Sequence, residues 1–207
     1  MRLLAGVPLI GHSIQAALSA KSLDRVLVST DSREIADYAT RMGVPTQRLR
    51  PVALAGDLSS TVDVVKHEVI AHAAETGERF EHVLLLQPTS PLRSGVHIDE
   101  AVSQYLASGA PSLISVCEVG PNHPEYMYRR DGLHLEKLLS GEVGAPRQNM
   151  ERLYLRNGAI YVTATRHLEE TNTLASARPA FYVMDRRSSI NIDDPDDLLL
   201  AEALLRT

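Results

Sequence analysis

The 207-residue sequence has no tryptophan, two phenylalanines and a single cysteine. One cysteine cannot form an internal disulfide, so a reducing, cytoplasmic setting is expected. With aromatics at 4%, the core must be mostly aliphatic. A basic excess is also missing. Lys and Arg number 21 against 26 Asp and Glu, a formal net charge of −5, which disfavours a generic nucleic-acid binder. Apolar runs such as VLLL at 83–86 fall far short of the ~18 residues of a membrane span, so no membrane partner is expected. No basic start followed by an apolar stretch marks a signal peptide. Walker loops, GxGxxG fingerprints, CxxC pairs and GxSxG elbows are absent too. What remains is ordinary globular usage, 44% apolar and 23% charged, which disfavours disorder. At ~150 residues per domain the length predicts a single domain over 1–207.

Along the chain, helical and strand-like segments alternate. Ile10, Ile14, Ala17 and Leu18 share a helical face after Pro8. RVLVST (25–30) reads as a buried strand and Ser32 as the cap of a helix ended by Gly43. Residues 44–59 look irregular, with a short strand expected near 46–49. Ser60 caps a long helix closed by Gly77. HVLLLQ (82–87) is a second buried strand, and a turn-rich loop, PTSPLRSG, follows it. A helix over 96–107 leads to a third strand, SLISVCEV (112–119). This alternation predicts an α/β fold, a mainly parallel sheet with helices on both faces. The rhythm then breaks. Residues 126–137 read as a β-hairpin around Asp131-Gly132, inside a polar insertion at 120–150. GAIYVT (158–163), FYVMD (181–185) and a helix opened by Asp194-Pro195 complete the chain.

In open α/β sheets, ligands bind beyond the carboxyl ends of the strands. Asp31, the run Gln87 to Arg93, and Asn191-Ile192-Asp193 occupy such positions. Arg50, the Ser59-Ser60-Thr61 helix start, Arg147-Gln148 and Asn157-Gly158 are further polar candidates. Together they suit an anionic, polyhydroxylated ligand with a hard metal ion. Each also has a plain structural reading. Asp31, Ser59 to Thr61 and Asn191 to Asp193 read singly as helix caps. Arg93 and Arg147 read singly as surface residues, His123 as a structural histidine and Cys117 as a core thiol.

Taken in order, LAGVPLIGHSIQAALSAKSLDRVLVSTDSREIADYA, LRPVALAGDLSST, LLLQPTSPLRSGVHIDEA, PRQ, LRNGAIYV and SINIDDPDDL resemble the acylneuraminate cytidylyltransferase family, the CMP-sialic acid synthetases. The resemblance implies a Rossmann-like nucleotidyltransferase core. It implies transfer of CMP from CTP to the anomeric hydroxyl of a nine-carbon 2-keto-3-deoxy sugar acid, with release of pyrophosphate and dependence on Mg2+. It further implies a homodimer, paired through the hairpin insertion as a dimerisation arm. Carried over by motif, Arg50, Ser59 and Thr61 would bind the nucleotide. Gln87, Thr89, Arg147, Asn157 and Tyr161 would face the sugar acid. Asp193 would hold the metal beside Asn191, so that Asp193 and Arg147 carry the catalysis.

Three departures accompany the resemblance. Asn191 stands where metal-binding members often carry Asp. TNTLASARPA lacks an aromatic pair seen in some sialate-using members, which leaves legionaminic or pseudaminic acid open as substrate. Family members also open with a strand and a glycine- and basic-rich loop that grips the triphosphate, ahead of the segment matching Leu3 to Ile10. From this sequence the expectation is reduced catalysis, restored by an upstream extension. Two alternatives stay open: a 3-deoxy-manno-octulosonate cytidylyltransferase, and a non-catalytic nucleotide- or sugar-binding relative or dimerisation scaffold.

Overall fold

The computed structural model describes residues 1–46, 48–56, 59–139 and 150–206. A small hairpin, β1 (Leu3–Leu4) and β2 (Val7–Pro8), leads into α1 (Leu9–Ser19), with Pro8 as the N-cap residue. Then come α2 (Arg33–Arg41), α3 (Thr61–Thr76), β3 (His82–Leu85), α4 (Gly95–Ser108) and β4 (Ser112–Glu118). The hairpin β5 (Tyr128–Asp131) and β6 (His134–Lys137) follows, then β7 (Tyr154–Ala164), α5 (Thr165–Thr171), β8 (Ala180–Val183) and α6 (Pro195–Leu205).

The central sheet has the order β3-β7-β4-β8. β7 runs antiparallel to β3 and β4, and β8 runs parallel to β4, so three of the four strands point the same way. Both faces are covered, which explains why the strands read as near-continuous apolar runs. On one face Ala16 of α1 and Ile98, Ala101 and Tyr105 of α4 pack on Leu113, Ile160, Val162 and Tyr182. On the other, Val65 of α3 and Leu168 of α5 pack with Val83, Leu85 and Tyr161. The core is aliphatic as expected, with Tyr105 and Tyr182 its buried aromatics.

RVLVST does not form the expected strand. Residues 25–30 belong to no ladder, and the described sheet ends at β3. A strand exists only where a neighbour accepts its backbone bonds. Here Val26 and Val28 are held by packing on Ile14, Ala39 and Val44. The described residues at 46–49 are likewise irregular. The hairpin at 126–137 is present, with its turn at Gly132-Leu133. Gly132 takes the first central position with φ 58°, where a II′ turn requires glycine. The first hairpin, α5 and the full length of β7 were not anticipated. No described helix is long and apolar enough to cross a membrane.

Candidate active site

The loop after β3 carries Gln87, Thr89 and Ser90 past the carboxyl end of the strand. It is closed by a turn from the Ser90 N–H to the Gln87 carbonyl at 3.2 Å. Its last residue, Arg93, corrects the expectation of a surface arginine: it is 3% exposed. Arg93 Nη1 donates to the Ala159 carbonyl at 2.7 Å and to the Gln87 carbonyl at 3.4 Å, and Nη2 to Ser13 Oγ at 2.7 Å. Among the described residues it has no carboxylate partner, and burial lowers its pKa to about 10. It therefore stays charged near neutrality, a buried cation neutralised only by dipoles. It ties α1, the loop after β3 and β7 to one point.

β7 does not run smoothly past that point. Tyr161 lies opposite Ile114 and Arg156 opposite Val116, so five steps on β7 match two on β4. The surplus is a bulge at 157–160, a device common beside active sites because it re-aims side chains. Asn157 and Ser115 clamp it. Asn157 Oδ1 accepts from Ser115 Oγ at 2.6 Å and from the Ala159 N–H at 3.2 Å, while Ser115 Oγ accepts from the Ile160 N–H at 2.7 Å. Asn157 Nδ2 donates to Ser189 Oγ at 2.9 Å and lies 3.4 Å from Met184 Sδ. The family resemblance implies that Asn157 faces the sugar acid. The structure instead buries its amide and spends it on the bulge, because a backbone that leaves its ladder needs other partners.

The bulge has two consequences. It puts Gly158 at φ 75°, where a Cβ would come within 2.9 Å of Gln87 Oε1 and 3.8 Å of both Ser90 Oγ and Asn191 Oδ1. Three polar groups from two segments, the loop after β3 and the stretch before α6, thus converge on a bare backbone. It also returns Arg156 to the face that carries Tyr161, since their partners Val116 and Ile114 are two residues apart. The Arg156 guanidinium lies over the Tyr161 ring, 5.8 Å from its centroid.

The segment before α6 is docked on the same loop by a bond from the Ile192 N–H to the Thr89 carbonyl at 2.8 Å. Ser90 Oγ donates to Asn191 Oδ1 at 3.4 Å, and Asn191 Nδ2 donates to Asp193 Oδ1 at 2.7 Å. α6 is held by a capping box between Asp194 and Asp197. Asp193 is exposed, and its backbone N–H is held by Asp197 Oδ2 at 2.9 Å.

Thr61, Gln87 and Tyr161 line one cavity of about 310 Å3, together with Arg156, Asn172, Thr173 and an apolar floor. Ser59 adjoins the N-terminus of α3, where Ser60 makes no side-chain cap. Arg50 stands apart from that cavity, its guanidinium on Ser29 Oγ at 3.0 Å and on the Ser29 carbonyl at 2.6 Å. Thr89 contributes its carbonyl to the docking of Ile192. Arg147 lies outside the described residues. Ser90 and Gly158 lie inside the candidate runs of the sequence, whereas Ser115 and Arg156 carry no local signal that marks them. Arg156 is inside the quoted LRNG text, but only the bulge aims it. His123 is structural as expected, its Nε2 3.1 Å from the Glu151 carbonyl, whereas Cys117 is only half-buried.

An α/β sheet covered on both faces, with its polar groups gathered at the strand ends, defines the class, and solved structures show the same fold. CMP:2-keto-3-deoxy-manno-octonic acid synthetase complexed with CTP superposes with a TM-score of 0.70 at 15% identity, over 99% of this chain and 90% of that one. A 4-diphosphocytidyl-2C-methyl-D-erythritol synthase does so with a TM-score of 0.62 at 16% identity, over 98% and 90%. The fold is the Rossmann-like fold of nucleotidyltransferases. The Cytidylyltransferase family profile matches residues 1–190. The chain is 34% identical over 208 residues to a CMP-N,N'-diacetyllegionaminic acid synthase of Legionella pneumophila, covering 99% of this chain and 88% of the relative. It is 31% identical over 200 residues to an N-acylneuraminate cytidylyltransferase of Escherichia coli O18:K1:H7, covering 96% of this chain and 46% of that longer relative. The chain belongs to the cytidylyltransferase family and is a nucleotidyltransferase.

Proposed function

We propose that the protein transfers CMP from CTP to the anomeric hydroxyl of a nine-carbon 2-keto-3-deoxy sugar acid, an N-acylneuraminate or related nonulosonate. The hydroxyl oxygen bonds to the α-phosphorus, the bridging P–O bond breaks, pyrophosphate leaves and the hydroxyl proton passes to water. The observation that carries this reading is the convergence of Gln87, Ser90 and Asn191 on Gly158, beside a cavity with room for a sugar. Gln87 and Tyr161 face the acid within that cavity. Thr61 and Ser59 receive the nucleotide at the α3 N-terminus, whose unpaired N–H groups favour anionic or acceptor groups. Arg50 completes the nucleotide side and Arg147 the sugar-acid side. Asn157 acts at one remove, by shaping the bulge. The work of this chain is positioning and charge neutralisation.

The donor set fits Mg2+. Among the described residues no three His, Cys, Asp or Glu side chains cluster as a metal cage. Mg2+ does not need one, because it is commonly held by one or two carboxylates plus substrate phosphates. Asp193, with Asn191 against its Oδ1, would supply the carboxylate and leave Oδ2 free of described partners. When bound, the ion neutralises phosphate charge. Asn191→Asp sets a second carboxylate beside the first, and we expect it to tighten Mg2+ by about tenfold, near the free energy of one added charge contact. Mg2+-dependent shifts in melting temperature without substrate report that affinity, and an unchanged titration removes Asn191 from the site.

In this reading the protein acts in the cytoplasm as a homodimer. Support comes from the exposed apolar side chains of the hairpin, where Leu133 is 95% and Leu135 68% exposed. Pyrophosphate release from CTP with a panel of nonulosonic acids and 3-deoxy-manno-octulosonate tests the function. Turnover confined to the eight-carbon acid, or binding without release, overturns it.

A further inference from the structure

Glu68 is a charged side chain with no part in the proposed reaction, yet it joins two elements of the nucleotide side. It lies about two turns into α3, the helix that starts at Thr61. Its side chain is only 15% exposed, and both carboxylate oxygens are engaged. Oε2 accepts from Arg48 Nη2 at 2.7 Å, and Arg48 Nη1 donates to Glu75 Oε2 at 2.6 Å. Oε1 accepts from Ser29 Oγ at 2.7 Å. His67 Nδ1, 3.6 Å from the same oxygen, is beyond hydrogen-bond reach.

Ser29 passes this anchoring on to Arg50. A carboxylate only accepts, so the hydroxyl proton of Ser29 is committed to Glu68. The lone pairs of Oγ are left for a donor, and Arg50 Nε supplies it at 3.0 Å. Bonds in such a chain polarise one another, so the carboxylate strengthens the hold of Oγ on the guanidinium. Arg50 Nη2 donates to the Ser29 carbonyl at 2.6 Å, which makes the clamp two-pronged. The Arg50 backbone is fixed separately, by a bond from its N–H to the Thr30 carbonyl at 2.8 Å. Loss of Glu68 therefore frees the side chain without releasing the main chain. Among the described residues Arg50 pairs with no carboxylate, and its Nη1 makes no hydrogen bond. The Glu68 charge is met by Arg48, so Arg50 keeps its own charge and its Nη1 edge for a ligand.

We propose that Glu68 is a positioning residue for the nucleotide. Through the Ser29 hydroxyl it holds the Arg50 guanidinium in one pose, with the Nη1 edge open to donate to bound CTP. The inference rests on the function proposed above, where Arg50 serves the nucleotide, and adds the chain from Glu68 through Ser29 that sets its pose. A long side chain has several rotamers to lose when it grips a ligand. A clamp that has already fixed them removes that cost from CTP binding.

The test measures CTP affinity of the full chain by calorimetry, and KM for CTP and for the sugar acid by pyrophosphate release. Glu68→Ala and Ser29→Ala should each weaken CTP binding about tenfold, near the worth of one charge-assisted bond. The double variant should also lose about tenfold, because both changes cut one chain, where independent effects would multiply to about 100-fold. Glu68→Gln keeps an acceptor for Ser29 and should recover part of the loss. KM for the sugar acid and kcat should stay within about twofold, near the scatter of surface substitutions. Glu75→Gln removes only the charge of the outer Arg48 partner and should leave CTP affinity within about twofold. Melting curves check folding, and the smaller change Ser29→Ala carries the test if Glu68→Ala unfolds. Unchanged or tighter CTP binding overturns the proposal, as do multiplying losses, an equal loss in Glu75→Gln, or an equal rise in KM for both substrates. If Arg50→Ala weakens CTP while Glu68→Ala does not, this inference fails and the nucleotide role of Arg50 stands. If Arg50→Ala binds CTP normally, that role fails as well. If the unmodified protein binds no CTP, the function itself falls.

Discussion

Gly158→Ala should lower kcat/KM for the sugar acid by about 100-fold, the scale of a misplacement near 1 Å at a reacting centre. Two effects combine. The residue sits at φ 75°, where a side chain costs about 1–2 kcal/mol. The new Cβ would also lie 2.9 Å from Gln87 Oε1. The backbone at the bulge cannot retreat, because Asn157 and Ser115 hold it on one side and Arg93 on the other. Gln87 is the flexible partner, so Gln87 moves. The fold then loses only the backbone strain, while the site loses a group meant to meet substrate. A double-mutant cycle separates the two. If displacement of Gln87 is the cause, Gly158→Ala adds little to the activity loss of Gln87→Ala. Full additivity, or a Gly158→Ala protein with normal kinetics, would show that Gln87 does not act where the geometry puts it.

Arg93→Ala should destabilise the protein by about 3 kcal/mol, the sum of a buried cavity and unpaired buried acceptors. For a chain of this size that lowers Tm by about 6–12 °C. The opposing effect is relief of burying a charge. Hydrophobic replacement of buried ions is often neutral where both members of a pair are removed. Here the partners include backbone carbonyls that no substitution removes. The Ala159 carbonyl in particular sits in the bulge, outside a regular ladder, and depends on Arg93 Nη1 at 2.7 Å. Arg93→Met separates packing from bonding: it refills the volume and leaves the carbonyls bare, with an expected loss of about 2 kcal/mol. A Met variant as stable as the original would mean that the bonds contribute nothing net. Because the same guanidinium also reaches the Gln87 carbonyl, KM for the sugar acid should rise in both variants while KM for CTP holds.

These two residues mark where reading the sequence stops. Each lies within quoted motif text, Arg93 closing LQPTSPLR and Gly158 inside LRNGAIYV. Arg93 reads alone as a surface arginine because local patterning cannot show that Ser13, 80 residues away, waits for its Nη2. RVLVST failed in the opposite sense. Its β-branched composition is that of a strand, but strand formation needs a partner edge, and propensity carries no information about one.

The periodicity and capping residues of the chain settle much by themselves. The helix from Ser60, the Gly132 turn, the Asp194-Pro195 helix start and the covered strands at 82–85 and 112–118 all follow from local chemistry. So does the place of Gln87 and Ser90 just past β3, because the loop must leave from the carboxyl end of its strand. The tertiary structure alone decided how these groups meet. A bulge of surplus residues on β7, opposite Ser115, turns Asn157 inward, leaves Gly158 bare beneath Gln87 and brings Arg156 back over Tyr161. A bulge is a mismatch between two strands, whose clamping residues Ser115 and Asn157 are 42 positions apart. It is a property of their pairing, so neither stretch of sequence contains it.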